Sequence, residues 1–354
     1  MQQKGWTGYF FEDFTLGMKL KGPTPRTMTD GEIALYIALT GDRTPHFCGP
    51  RRLIHPLIIF HTVFGQTVRQ ISLNARANLG YADMRWLAPV FVGDTLSIYM
   101  EIIGLKENSS RDSGVVYVKN TAYKQDGTEV MRFTRWVMIR KRANHPTPFL
   151  DQPHLPSLPK IVPPEELALF EETLPTFEQC GGRWAFEDYQ IGERIFHYDG
   201  MTMNDSDQMT FTRLFQNSAK VHFDRYKMNG TPLLYGGLAI SHGYAQAFNG
   251  LEMRLGLRAL NSGNHTHPTH SGDTLYTFTD VLDKASLLDP SVGALRLRMI
   301  VVKNLDPAEF SASGQTFPIT QEDPHKPGKT QYPSHIVLDL DYWEILPRQA
   351  ALVA

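Results

Sequence analysis

Residues 89–96 read PVFVGDTL and residues 268–275 read PTHSGDTL, with five of eight positions identical at an offset of 179. A proline followed by Gly-Asp is ordinary turn material when it occurs once. Here it carries weight because other segments return in the same order. FEDFTLG at 11–17 returns as FEDYQIG at 186–192, Thr27-Met28 as Thr202-Met203, and LIHPLIIFH at 53–61 as LYGGLAISH at 234–242. Across these three the offset drifts only from 175 to 181. A period this long lies far beyond solenoid repeats, so each copy is a domain-sized unit. The length of 354 residues agrees, since a domain takes roughly 150.

Each copy reads alike. A FEDF or FEDY segment ends at Gly17 or Gly192, and a polar-capped helical stretch follows, Thr29–Leu39 or Asn204–Phe215. An apolar helix comes next, over 53–71 or 236–250. Segments rich in Val, Ile, Tyr and Trp then predict strands. They fall at 76–87, 94–106, 113–123 and 129–141, and again at 257–267, 273–284, 294–303 and 335–346. A long helix followed by an antiparallel meander predicts an α+β unit in which a sheet wraps a helix, the hot-dog arrangement. Two such units in one chain predict a double hot-dog, a covalent pseudo-dimer.

The expected boundaries are 1–142 for the first unit, 143–182 for a linker and 183–354 for the second. Eight prolines between Pro146 and Pro175 keep the linker out of a central sheet or a long helix. Its EELALFEE run is expected to form a brief helix, and 306–333 a long surface loop.

Composition narrows the partners. The chain is 42% hydrophobic and 20% charged, ordinary globular proportions. A net charge of −2 offers no electrostatic pull toward nucleic acid or an anionic membrane. No apolar run approaches the ~18 residues of a membrane span, and MQQKGWTGYFFED lacks a signal peptide's apolar region. Cys48 and Cys180 are too few for a disulfide framework or a zinc site. A cytoplasmic chain with no nucleic-acid or membrane partner is the expectation.

FFEDFTLG, VFGQTV, ISLNARANLGYA and RWVMIRKR in the first copy resemble a known family, as do FTRLFQNSAKVHFD, YGGLAIS and HTHPTHSGDTLY in the second. The family is the MaoC-like double hot-dog dehydratases, and within it the mesaconyl-CoA hydratases, also called β-methylmalyl-CoA dehydratases. The resemblance covers nearly the whole chain. It implies a hydro-lyase that hydrates an enoyl-CoA reversibly, most closely mesaconyl-CoA. CoA would arrive as part of the substrate, with no separate cofactor. A hot-dog acyl-CoA thioesterase and a non-catalytic acyl-thioester binder stay open as alternatives. A homodimer is the expected oligomer.

The family's catalytic signature is roughly Gly-Asp-x-Asn-Pro-x-His. The first copy has GDRTPHF at 41–47, which keeps Asp42 but places Phe47 where the histidine belongs, with His46 one position early. The second has QNSAKVH at 216–222, which keeps His222 but places Asn217 at the acid. Hydrating an α,β-unsaturated thioester needs a base for water and donors for the developing enolate oxygen. Histidine suits the first task, and the N–H groups of a helix N-terminus suit the second. Tyr235-Gly236-Gly237 precede the second apolar helix, whereas Ile54-His55-Pro56 precede the first, and proline has no N–H. The second copy is therefore expected to be catalytic through His222 and Asn217, with Gly236 and Gly237 at the thioester carbonyl. The first copy would shape the acyl-CoA channel.

Asn217 can orient water but cannot take its proton, so Asp224 or Asp207 remains an alternative helper. Arg213, four residues before Asn217, is the first candidate for the substrate's free carboxylate. Behind it stand Arg225, His242 and the cluster His265, His267 and His270. Tyr235 is a further substrate contact, and Arg225 and Lys227 are candidates for the CoA phosphates. His61 shares an apolar stripe with Leu57, Phe64 and Val68 and reads as core. The histidine cluster lacks convincing third and fourth ligands, so no metal is expected. Asp42, without its histidine, reads as a relic or a helix-end cap.

Overall fold

The structure, a computed structural model, describes residues 4–49, 53–170, 173–324, 326 and 328–352. It is built on one eleven-stranded antiparallel sheet. The first copy supplies β1 (Lys19–Lys21), β2 (Arg26–Thr27), β3 (Ala75–Trp86), β4 (Thr95–Glu107), β5 (Ser113–Tyr123) and β6 (Glu129–Arg140). The second supplies β7 (Arg194–Thr202), β8 (Gly256–His265), β9 (Thr274–Ser286), β10 (Val292–Lys303) and β11 (Ile336–Pro347). The order is β1-β4-β5-β6-β3-β8-β11-β10-β9-β7, with β2 beside β4. It reads as a palindrome about the β3–β8 seam, where Tyr81 lies opposite Gly263.

The repeated octets are the same turn built twice. Asp94 accepts the Phe91 N–H at 2.9 Å, and Asp273 accepts the His270 N–H at 2.9 Å. Gly93 and Gly272 take the left-handed backbone that the turn requires. The repeated FED segments likewise close matching turns, with Asp13 on Phe10 N–H and Asp188 on Ala185 N–H, each at 2.8 Å.

Among the described residues four helices reach ten residues or more: α1 (Asp30–Thr40), α2 (Pro56–Ile71), α3 (Asp205–Leu214) and α4 (Gly236–Gln246). Thr29 caps α1 and Asn204 caps α3 through their side-chain oxygens. The central helices α2 and α4 are buried on almost every side, because the sheet wraps them. Helix α4 stops earlier than its apolar run, and 247–250 form turns instead. One apolar core runs across both copies and joins Ile58 and Phe64 to Phe211, Leu238 and Leu340. At Gly65 a side chain is excluded outright: a Cβ there would sit 1.8 Å from the Phe215 carbonyl oxygen. The central helix of the first copy thus lies directly against the segment that opens the second copy's site.

The proline-rich segment runs along the sheet and is tied to it. Val162 donates its N–H to Asn261 at 2.8 Å, and the Val162 carbonyl accepts the Trp343 indole N–H at 3.0 Å. The expected brief helix is a single 3-10 turn at Pro164–Glu166, while Glu171 and Glu172 lie outside the described residues. The long loop between β10 and β11 holds more order than expected, a short helix at Pro307–Ala312 and a small hairpin pairing Gln321–Glu322 with Thr330–Gln331. Among the described residues no helix is long and apolar enough to cross a membrane.

Candidate active site

A cavity of about 1160 Å³ opens at the second copy's site, with walls from both copies. The N-terminus of α4, the 217–222 loop and His265 of β8 form one side; Phe64 of α2, Tyr81 of β3 and Arg135 of β6 form the other. The loop is held from α3 by Gln208, whose amide donates to the His222 carbonyl and accepts the Tyr235 N–H at 2.9 Å.

His222 lines the cavity and is half-buried. Its Nδ1 is 3.0 Å from the Leu233 carbonyl oxygen. A carbonyl only accepts, so the ring proton sits on Nδ1 and Nε2 keeps its lone pair. Burial pushes the imidazole down to about 4, with the Leu233 contact opposing. At neutral pH it is an uncharged base.

Asn217 lines the same cavity and is buried. Its Oδ1 accepts the Ala219 N–H at 3.0 Å, and its amide interacts with the Tyr235 hydroxyl. That hydroxyl is 3.3 Å from Nδ1 of His61, whose Nε2 is 2.8 Å from Ser241 Oγ. His61 is core, as the stripe predicts, and it also braces Tyr235.

Gly236 and Gly237 form the first turn of α4, and N-cap Tyr235 supplies no side-chain cap bond. First-turn N–H groups have no intrahelical acceptor, so these two are donors at the cavity wall. A side chain at either position would have to displace a neighbouring ring. A Cβ on Gly236 would lie 2.5 Å from the His265 ring, and one on Gly237 would lie 2.6 Å from Tyr235 and 2.7 Å from His61.

The equivalent place in the first copy is filled. Pro56 opens α2 without an N–H, and His55 Nδ1 accepts the next donor, Leu57 N–H, at 3.0 Å. Phe47 packs on His55 at 4.5 Å between ring centres. Asp42 is neither a relic nor only a cap. It accepts the Thr44 N–H at 2.8 Å and pairs with the fully buried Arg254 of the second copy at 3.3 Å. Burial opposes ionisation, yet Arg254 and His55 hold its carboxyl well below the usual range.

The cavity gathers His222, Asn217, Tyr235, Gly236 and Gly237 as expected, but not every candidate. Arg213 is exposed on α3, reaches Thr210 at 3.5 Å and does not line the cavity, because its side chain leaves the helix on the solvent side. Asp224 turns back to the Lys227 N–H, and Asp207 is engaged by the Asn204 cap. His242 is buried outside the cavity wall, and burial lowers it to about 4. Arg225 is bound to Asp205 at 2.7 Å, whereas Lys227 does line the cavity. His265 and His267 line it too, but His267 and His270 point at the Ile336 and Pro232 carbonyls. Among the described residues no three His, Cys, Asp or Glu side chains are grouped to hold a metal ion.

Two cavity residues escape motif reading. Tyr81 meets His265 Nε2 at 3.3 Å across the β3–β8 seam. Arg135 lies on β6, in the inward row with Met131, Phe133, Val137 and Ile139. A cation alternating with apolar residues on a buried face was its signal in the sequence.

A family model described as mesaconyl-CoA hydratase matches residues 7–316. The chain is 44% identical to the mesaconyl-CoA hydratase of Cereibacter sphaeroides, over 96% of this chain and 98% of that one. It is 38% identical to the β-methylmalyl-CoA dehydratase of Chloroflexus aurantiacus, over 99% and 100%. A crystal structure of a putative MaoC domain protein dehydratase from Chloroflexus aurantiacus superposes with a TM-score of 0.88 at 38% identity, covering 98% of this chain and 100% of that one. A Mycobacterium tuberculosis protein with a double hotdog fold superposes at 0.70 with 21% identity, over 96% and 99%, and shares the fold.

Proposed function

The chain belongs to the mesaconyl-CoA hydratase family, and from that membership we propose that it interconverts mesaconyl-CoA and β-methylmalyl-CoA by adding and removing water. The observation that carries the site assignment is the pairing of His222 Nε2 with the open N-terminus of α4 on one cavity.

In hydration His222 Nε2 takes a proton from water as the water oxygen bonds to C3. The C2–C3 π pair moves toward the thioester, and its oxygen gathers charge against the N–H groups of Gly236 and Gly237. The proton then passes to C2, and dehydration runs the same steps backward. The thioester itself activates the alkene, so these steps call for no metal and no redox cofactor. Asn217 fixes the loop and Tyr235, and a water between its amide and His222 would be held for attack. Exposed Lys220, Lys227, Arg76 and Arg140 line the cavity and suit the CoA phosphates at its mouth. The cavity exceeds the ~300–1,000 Å³ usual for small ligands, as a CoA thioester with its pantetheine arm requires.

The test is incubation with mesaconyl-CoA under simultaneous absorbance and thiol detection. Loss of enoyl-thioester absorbance without free thiol, with product mass raised by one water, is expected. Free CoA thiol would instead assign a thioesterase, and binding with neither signal a non-catalytic acyl-thioester binder.

A further inference from the structure

We propose that Arg135 binds the substrate's free carboxylate and so selects dicarboxylic acyl-CoA thioesters over monocarboxylic ones. The inference deepens the hydratase reading and takes the carboxylate from it.

Arg135 is 0% exposed. Among the described residues no carboxylate pairs with it. Its neighbours are neutral: Nη2 donates to Thr67 Oγ1 at 2.7 Å and Ser72 Oγ at 2.9 Å, and Nη1 reaches Asn78 Oδ1 at 3.4 Å. Among the described residues its Nε–H has no acceptor. The Phe64 ring lies 4.4 Å from the guanidinium carbon and covers one face.

Three other arginines that leave solvent, Arg254, Arg296 and Arg298, are matched by acids. Arg254, equally buried, faces Asp42, and the half-buried Arg296 and Arg298 face Asp341 and Asp339. A buried guanidinium without an acid is costly unless a ligand supplies the charge. Burial lowers the Arg135 pKa to about 10, so it still carries its proton at neutral pH.

Its position suits that ligand. Arg135 lines the cavity that holds His222, and Tyr81 and Tyr235 are its electrostatic neighbours. Lying in the interior, it is removed from the exposed lysines and arginines that suit the CoA phosphates. In mesaconyl-CoA the free carboxylate is bonded to C3, the carbon that water attacks. Holding it fixes C3 relative to His222. The cation also offsets repulsion between that carboxylate and the charge that develops on the thioester. Arg213, the residue singled out from sequence spacing, has no access to this wall.

The experiment has a kinetic and a binding arm. The kinetic arm compares mesaconyl-CoA with tiglyl-CoA, in which a methyl replaces the carboxylate. Arg135→Met is expected to lower the mesaconyl/tiglyl ratio of kcat/KM about 100-fold, and an unchanged ratio overturns the proposal. The binding arm measures Kd for unreactive succinyl-CoA and butyryl-CoA. The wild type is expected to prefer succinyl-CoA at least tenfold, and Arg135→Met to lose that preference; a wild type with no preference overturns the proposal. Thermal unfolding checks that the variant folds. If it does not, Arg135→Lys, which keeps charge but not the planar fork, is expected to cut the ratio about tenfold, and no change overturns the proposal. A wild type that fails to hydrate mesaconyl-CoA yet shows an Arg135-dependent preference for succinyl-CoA would sink the hydratase reading and leave the carboxylate assignment standing.

Discussion

If His222 is the base, activity must survive acid that would silence an ordinary histidine. An unshifted imidazole titrates near 6.5, so at pH 5.5 only about 9% of it is neutral. Burial lowers His222 to about 4, and at pH 5.5 about 97% stays neutral on the same arithmetic. Protonation removes the Nε2 lone pair, so the rate is lost as pH falls through about 4 and not before. The expected kcat/KM at pH 5.5 is within about 10% of its value at pH 7.5. The assay is initial-rate loss of enoyl absorbance between pH 3.5 and 8. Samples returned to pH 7.5 separate titration from unfolding. That control matters because His197, His222, His242 and His265 are all lowered to about 4 by burial. The unfolded chain binds more protons than the folded one between pH 6.5 and 4, so stability declines as pH falls through that window. An acid limb centred near 6.5 in protein that recovers fully would refute the assignment.

Three further outcomes are expected. Gly237→Ala pushes a methyl to within 2.6 Å of Tyr235 and 2.7 Å of His61; steady-state kinetics should show a loss of kcat of about 10²-fold from displacing the α4 donors, and wild-type turnover would show that those donors do not act. Asn217→Ala removes the acceptor for the Ala219 N–H and the contact with Tyr235, so kcat should fall with KM nearly unchanged; Asn217→Asp keeps the acceptor and should retain more activity. Asp42→Ala strands Arg254 in the core, and urea unfolding should show a loss of about 3–5 kcal/mol. Adding Arg254→Met should recover much of that loss; a double variant less stable than the single one would contradict the ion-pair account.

Much of the fold was legible because duplication checks itself. Each turn, cap and strand could be read twice, and Asp94 and Asp273 do make the same contact. The candidate loop was legible for another reason: His222 and Asn217, which do line one cavity, keep a family spacing, and a glycine pair beside a proline-bearing counterpart marks which helix end can donate. Arg213 failed because i, i+4 spacing fixes a helix face but not what that face meets. Arg135 was missed because it comes from the other copy, on a strand 82 residues before Asn217 in sequence. Its inward register was readable, but only the β3–β8 seam brings β6 to the second copy's cavity. Asp42 was undervalued for the same reason, since its partner Arg254 lies 212 residues away.

The asymmetry of the two copies comes down to what each arginine finds. Arg254 crosses from the second copy into the first copy's place and meets Asp42, a carboxylate that the chain itself provides. His55 Nδ1 is taken by the Leu57 N–H and Pro56 brings no N–H to the helix start, so that place lacks the donor pair that the second copy presents. Arg135 crosses the other way, and among the described residues it meets hydroxyls, an amide and an aromatic face. The acid position of the family signature is Asn217 in this copy, and among the described residues no carboxylate pairs with the Arg135 guanidinium. On the proposed reading the two arginines divide the work: the Asp42–Arg254 ion pair closes the first copy's place, and the unmatched Arg135 leaves the second open to a dicarboxylic thioester.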